Sequence, residues 1–277
     1  MIRERIQPHP GPGPTTKSRA GGEPSVTSPS RLLEHVLSSR SSPQATLPQA
    51  CIITHSDRLV DSSLAAHPHS TFDIPGVLPS RLYLFEPDDG GSYAIVRANA
   101  GASMAVVLLE ELIALGFRRF VTMGCAGIPS NGAGPAVPIG GVVLANRALI
   151  YEGTSPHYMP HDRVSFPDDA SVRTLSELLT SYGINHRIGT VATTDALYRE
   201  TPGFLDELLD NEVMAIDMEL SALFTVARFR QVEMAGLLYI SDVVDRDGDW
   251  QLGLVNGMLR TIEDRLFNLV LEYAAQG

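Results

Sequence analysis

Lysine is almost absent from this chain: of 21 basic residues only Lys17 is a lysine, and it stands in a stretch rich in Pro and Gly. Schiff-base lysine chemistry and the phosphate-gripping lysine of a P-loop are thereby excluded. Cysteine is as scarce. Cys51 and Cys125 cannot build a disulfide framework, and no CxxC or clustered Cys/His spacing points to zinc, so no metal is expected and a reducing cytoplasm fits. No uninterrupted apolar run reaches about 18 residues, and no basic segment leads into an apolar core at the start. Neither secretion nor a membrane is expected. Positive charge is outweighed as well: the formal net charge of -11 argues against a partner held by its phosphate backbone, so nucleic acid is not expected as a ligand.

What is present suffices for one large domain. The 277 residues are 44% hydrophobic, enough apolar material for a sizeable core. Residues 1–45 read as a disordered leader of Pro, Gly, Ser and Thr with one short helical pattern through Leu32, Leu33, Val36 and Leu37. Residues 46–277 read as the globular domain. Within it, apolar or β-branched runs at 51–54, 81–85, 93–98, 120–123, 141–145, 186–193, 215–217 and 234–240 predict strands. Helical patterns at 103–115, 170–182, 204–210, 220–230 and 253–275 alternate with them. Strands joined by such helices need right-handed crossovers, so the expected class is α/β: a single three-layer α/β/α domain around a mostly parallel, mixed sheet.

Three passages place polar or glycine residues at the C-terminal ends of predicted strands, where ligands collect in open α/β sheets. Thr122, Met123, Gly124, Cys125, Ala126 and Gly127 follow an apolar strand end, and the glycines suit either a plain turn or a close backbone approach to an anion. Asp217, Met218 and Glu219 lead into a helix. A carboxylate there either answers the helix dipole or accepts two vicinal hydroxyls of a ribose. Ser241 and Asp242 end another apolar strand, and Asp242 there is either a cap or a general acid with a raised pKa.

Taken in order, Gly101 to Gly116, Phe120 to Gly127 (FVTMGCAG), Tyr151 to Pro160 (YEGTSPHYMP), Gly189 to Thr201 (GTVATTDALYRET), Ala215 to Arg230 and Leu237 to Asp242 (LLYISD) resemble the nucleoside phosphorylase family. That family includes uridine phosphorylase, hexameric purine nucleoside phosphorylase and the methylthioadenosine nucleosidases. The resemblance spans residues 50 to 275, and the EGTSxHY and TTDAxYRET wording is similar to a subgroup of uridine-phosphorylase-like proteins. It implies cleavage of a nucleoside's N-glycosidic bond by phosphate or by water. It further implies no metal or organic cofactor, inorganic phosphate as the co-substrate of a phosphorylase, and assembly as a homodimer or homohexamer.

By the same resemblance Glu219 holds the ribose hydroxyls and Met218 packs on the sugar, with Asp217 standing where the family usually has Glu. Asp242 matches the acid that stabilises the leaving base in purine-cleaving members, and with Ser241 it tilts the expectation toward a purine. The base wall aligns with Ala192, Thr193, Thr194, Tyr198 and the loop through Thr201 and Gly203. Neither standard base code is intact there, and His157, Tyr158 and Tyr198 are candidates for the missing contacts. Phosphate is the main departure. Thr122 replaces one family arginine, Arg58 is placed to replace the other, and Asp57 is placed instead to orient a water, while Gly124 and Cys125 belong to wording nearer the nucleosidases. Phosphorolysis is the first expectation, hydrolysis by water the alternative, and a nucleoside-binding protein without turnover a third. A residue from a neighbouring subunit, with His67, His69 and Arg97 as candidates, is expected to complete the site.

Overall fold

The computed structural model describes residues 25–38, 47–77, 80–88, 90–132, 134–253 and 257–276. Most of the expected leader and the expected domain start at residue 46 lie outside the described residues. In chain order the elements are α1 (Pro29–Ser38), β1 (Ala50–Thr54), α2 (Asp57–Ala66), β2 (Ser70–Ile74), β3 (Ser80–Phe85), β4 (Tyr93–Arg97), α3 (Ala102–Leu115), β5 (Arg119–Ser130) and β6 (Val142–Tyr151). They continue with β7 (Val164–Ser165), α4 (Asp169–Ser181), β8 (His186–Thr194), α5 (Pro202–Asp210), β9 (Val213–Asp217), α6 (Leu220–Arg230), β10 (Glu233–Asp245), β11 (Trp250–Leu252) and α7 (Gly257–Ala275).

Burial on both faces explains the unbroken apolar runs of the central strands. In β1 all five residues are buried; Cys51 and Ile53 join the core under α1, α3 and α6, while Ala50 and Ile52 join the one under α2, α4 and α7. The α/β/α layering follows from that alternation. The sheet is mixed: β1 runs parallel to β4 and β5, β10 parallel to β5, and β6, β8 and β9 parallel in turn. Antiparallel pairs bring in β2, β3, β7 and β11 at its margins and join β10 to β6. A single contact, Gly127 with Ile216, joins β5 to β9 and closes the ring β5, β10, β6, β8, β9.

Three strands, β5, β6 and β10, run well past their expected ends. β5 stays paired with β10 up to Ser130 opposite Asp245, so Gly124 to Gly127 lie inside a strand and not in a turn after it, which corrects the turn reading of the glycines. On its other edge β5 is bordered by β1 only as far as Met123, and β9 takes over at Gly127. The gap between those two neighbours is where the functional side chains gather. Four elements are not among the expected ones: β2, mostly exposed; the two-residue β7; β11, entirely exposed; and α2, which Ser56 caps by accepting the Leu59 N–H.

Candidate active site

At one end of the gap β9 passes into α6 almost without a loop. The buried Asp217 carboxylate ends β9 and satisfies the first free amides of the helix: Oδ2 accepts the N–H groups of Glu219 at 2.9 Å and Leu220 at 2.7 Å. Its Oδ1 accepts the Thr193 hydroxyl from β8 at 2.6 Å, and Thr193 Oγ1 accepts the Ser221 N–H at 2.8 Å. Because Asp217 caps the helix, Glu219 is free to face the gap, where Oε1 accepts the Gly101 N–H at 2.6 Å. Gly101 has φ of 104° at the start of α3, a conformation glycine adopts without strain. Burial pushes both carboxyls upward, and the Glu219 charge adds to the push on Asp217, while the three donors on Asp217 and the Gly101 amide on Glu219 oppose it.

His55, just beyond β1, closes this end. Its Nε2 lies 4.0 Å from Glu219 Oε2, and its Nδ1 is buried without a hydrogen-bond partner among the described residues. Burial lowers its pKa against the pull of Asp217. Gly124 lies under that ring: a Cβ there would sit 3.7 Å from His55 Cδ2.

At the other end β10 carries a bulge. Ile240 pairs with Ala126 and Asp242 with Gly127, so Ser241 is the extra residue and the strand re-aims its side chains there. The Ser241 hydroxyl lies 2.6 Å from Asp242 Oδ1 and 3.2 Å from the Ala126 carbonyl, while Trp250 Nε1–H donates to Asp242 Oδ2 at 2.8 Å. A Cβ on Gly127 would come within 3.2 Å of Asp242 Oδ2, so the glycine leaves room for the carboxylate. Glu200, in the loop before α5, is pushed up to about 7 by burial and by the charge of Asp242.

The two ends share β5. Gly127 pairs with Asp242 on one edge and with Ile216 on the other, which places the two carboxylate-bearing strands about 10 Å apart at two strand spacings. Between them the Cys125 thiol opens to solvent at the strand surface. Its pKa is pushed up by the protein packed around it and by the charges of both Asp242 and Glu219. Carboxylates at both ends of this gap suit a ligand that offers hydrogen-bond donors along its length.

The other expected residues take these places. Arg58 turns onto α7, where Nε donates to Glu263 at 3.1 Å and Nη1 to Asp264 at 2.7 Å. Asp57 pairs with Arg97 at 2.5 Å on the exposed lip. Thr122 is buried in mid-strand between Ile53 and Gly236. Ala192 packs with Leu205 and Leu208, and Thr194 is buried with its hydroxyl accepting the Ala196 N–H. Tyr198 is 84% exposed, and His157 is exposed on a short 3-10 turn. Tyr158 donates to Glu110, which also grips Arg230, and so belongs to the packing of α3 on α6. Thr201 caps α5. Sequence reasoning missed His55, Glu200 and Trp250; the only local signal was the Asp-Gly turn that folds Trp250 back.

The pattern describing the phosphorylase superfamily matches residues 53–275. The chain is 28% identical over 144 residues to a guanosine phosphorylase of Halorubrum lacusprofundi, covering 50% of this chain and 56% of the relative. It is 29% identical over 154 residues to a uridine phosphorylase of Thermococcus kodakarensis, covering 50% and 53%. An uncharacterised protein of Acanthamoeba polyphaga mimivirus is 27% identical over 169 residues, covering 60% and 64%. The chain thus spans between half and two thirds of the length of these curated relatives.

Proposed function

The chain belongs to the phosphorylase superfamily, and from that premise we propose that it cleaves the N-glycosidic bond of a nucleoside, with a purine-type base favoured. The reading is carried by the placement of Glu219 and Asp242 across the shared residue Gly127 and the shared neighbour Cys125. Glu219 accepts the vicinal sugar hydroxyls, Met218 packs on the ring, and Asp217 holds the turn that presents them. As the bond from C1′ to nitrogen breaks, its electron pair moves onto the base. The proton that reaches N7 comes from Glu200, whose pKa is raised to about 7, and the Asp242 carboxylate accepts the resulting N7–H. Thr193, Thr194, Tyr198, Ser241 and His157 are the base-side candidates, and Thr122, Gly124, Cys125 and His55 the nucleophile side.

Phosphorolysis, giving free base and pentose 1-phosphate without an organic cofactor, is the first reading. It is favoured by relatives that are a guanosine and a uridine phosphorylase. A homodimer or homohexamer, with the half-exposed Arg97 at the end of β4 as the visiting residue, fits the need for phosphate-binding charge from a neighbour. Hydrolysis is the second reading, and one observation favours it: Arg58 is engaged by Glu263 and Asp264, so it brings no charge to an acid-lined cleft that repels a phosphate dianion. Incubating a panel of purine and pyrimidine nucleosides with and without phosphate tests both. Base release that needs phosphate supports the first, release indifferent to phosphate supports the second, and no release from any nucleoside overturns the proposal.

A further inference from the structure

Trp250 is the sole tryptophan of the chain and sits on the three-residue strand β11, 47% exposed. An exposed indole on a short edge strand gains little from burial, yet the segment is drawn tightly onto the site. Beyond the bulge β10 leaves β6 and pairs instead with β11, Asp242 opposite Leu252 and Val244 opposite Trp250. Trp250 and Asp242 are therefore diagonal neighbours on one face of the ladder, a spacing that a long aromatic side chain bridges. The turn is closed by the Gly248 N–H to the Asp245 carbonyl and the Asp245 N–H to the Asp249 carbonyl, with Gly248 at φ of 96°. Asp245 also accepts the Gly132 N–H at 2.7 Å, and Arg246 pairs with Asp206 of α5 at 3.1 Å, which ties the hairpin to both sides of the cleft. At the far end the Gly253 N–H donates to the Ser241 carbonyl, so close that a Cβ on Gly253 would come within 2.7 Å of that oxygen.

Resting on the glycosidic reading above, we propose that Trp250 is a positioning residue: its indole N–H fixes the Asp242 carboxylate toward the departing base while the ring covers the base end of the cleft. The Ser241 hydroxyl beside Oδ1 and the indole at Oδ2 together fix the carboxylate plane, which neither could do alone. The other titratable groups facing Asp242 are Glu200 from the loop before α5 and Cys125 from β5. Neither carries a positive charge that could hold the carboxylate in the indole's place. The two parts of the role are separable. The N–H serves the departure of the base and acts on kcat, whereas the ring face serves base binding and acts on KM.

Trp250→Phe keeps a ring and loses the N–H. Measured as base release from a purine nucleoside, it is expected to lower kcat about tenfold, the size of one hydrogen bond to a charged group, with KM within about twofold. Trp250→Ala is expected to raise KM as well. In an Asp242→Asn background the Phe substitution is expected to change kcat by less than twofold, because the residue acts through Asp242. A readout independent of turnover is the emission of the sole tryptophan, which Asp242→Asn is expected to shift and which hypoxanthine is expected to quench in the parent. A parent that releases base while Trp250→Phe matches its kcat overturns the proposal, as does an equal loss in the Asp242→Asn background or emission indifferent to Asp242→Asn. A parent that releases no base from any nucleoside overturns the glycosidic reading and this role with it. The emission experiment then reports separately whether the indole holds the carboxylate.

Discussion

The end of the cleft assigned to the sugar is held by backbone amides, whereas the end assigned to the base is held by side chains on a surface hairpin. Asp217 and Glu219 receive N–H groups from Glu219, Leu220 and Gly101, donors fixed by the starts of α6 and α3. Asp242 receives Trp250 and neighbours Ser241, and it faces Glu200, all groups that a point mutation replaces without moving a helix. Backbone donors stay in place through sequence change, so under the proposed reading the sugar end is expected to tolerate substitution better than the base end. The altered base codes of this chain fit that division: Ala192 packs into the core and Tyr198 stands in solvent.

The comparison is broken most severely at Glu219. Glu219→Ala is expected to lower kcat/KM for any accepted nucleoside by about a thousandfold, with purine and pyrimidine substrates losing alike, because the sugar is common to both. A loss confined to one base class in steady-state assays would reverse the assignment of the two ends. Next comes Asp217→Ala, which leaves the Thr193 hydroxyl and two helix amides without their acceptor. It is expected to destabilise the fold by about 3 kcal/mol, read as a drop of the thermal midpoint by about 6–12 °C. An unchanged midpoint would show that the cap is dispensable.

Glu200 sharpens the comparison from the base side. Its folded pKa is raised above the ordinary 4.5 to about 7, so the folded state holds a proton that the unfolded state has lost, and stability falls as pH rises through that window. Glu200→Gln removes the effect. It is expected to exceed the parent in stability on the order of 1 kcal/mol at pH 8, after allowance for solvent screening, and to match it below pH 5. Denaturant melts at the two pH values check this, and a gap that widens toward low pH would contradict it. The smallest effect is expected at Arg58. Arg58→Ala removes partners of Glu263 and Asp264 and is expected to lower stability by about 1 kcal/mol while leaving the phosphate dependence of the rate unchanged. A steep rise in the KM for phosphate would return Arg58 to the anion site.

Much of this architecture was legible in the sequence because strands buried on both faces leave continuous apolar runs, as β1, β4 and the first half of β10 do. The second halves of β5 and β10 were not legible. There Gly124, Gly127 and Ser241 interrupt the apolar pattern, and only the long-range pairing of the two strands keeps them extended. The short strands β2 and β11 alternate only Phe72 with Ile74 and Trp250 with Leu252, too few apolar residues to stand out, and a neighbouring strand offers each of them an edge. At the site, Asp217, Met218, Glu219 and Asp242 stood out by their place at strand ends. The reading of Glu219 as an answer to the α6 dipole does not foresee that Asp217 accepts the first amides of that helix, while Glu219 accepts the Gly101 N–H at the start of α3. Arg58 could not be placed from sequence, since its partners stand about 200 residues away on α7.

The most direct test of a single glycoside pocket is the release of free base from a purine nucleoside, in the presence of phosphate, by the parent and by Asp242→Asn. The account predicts that the substitution lowers kcat about a hundredfold while KM stays within a few-fold, since the sugar end is left intact. Equal kcat for the two proteins would contradict it.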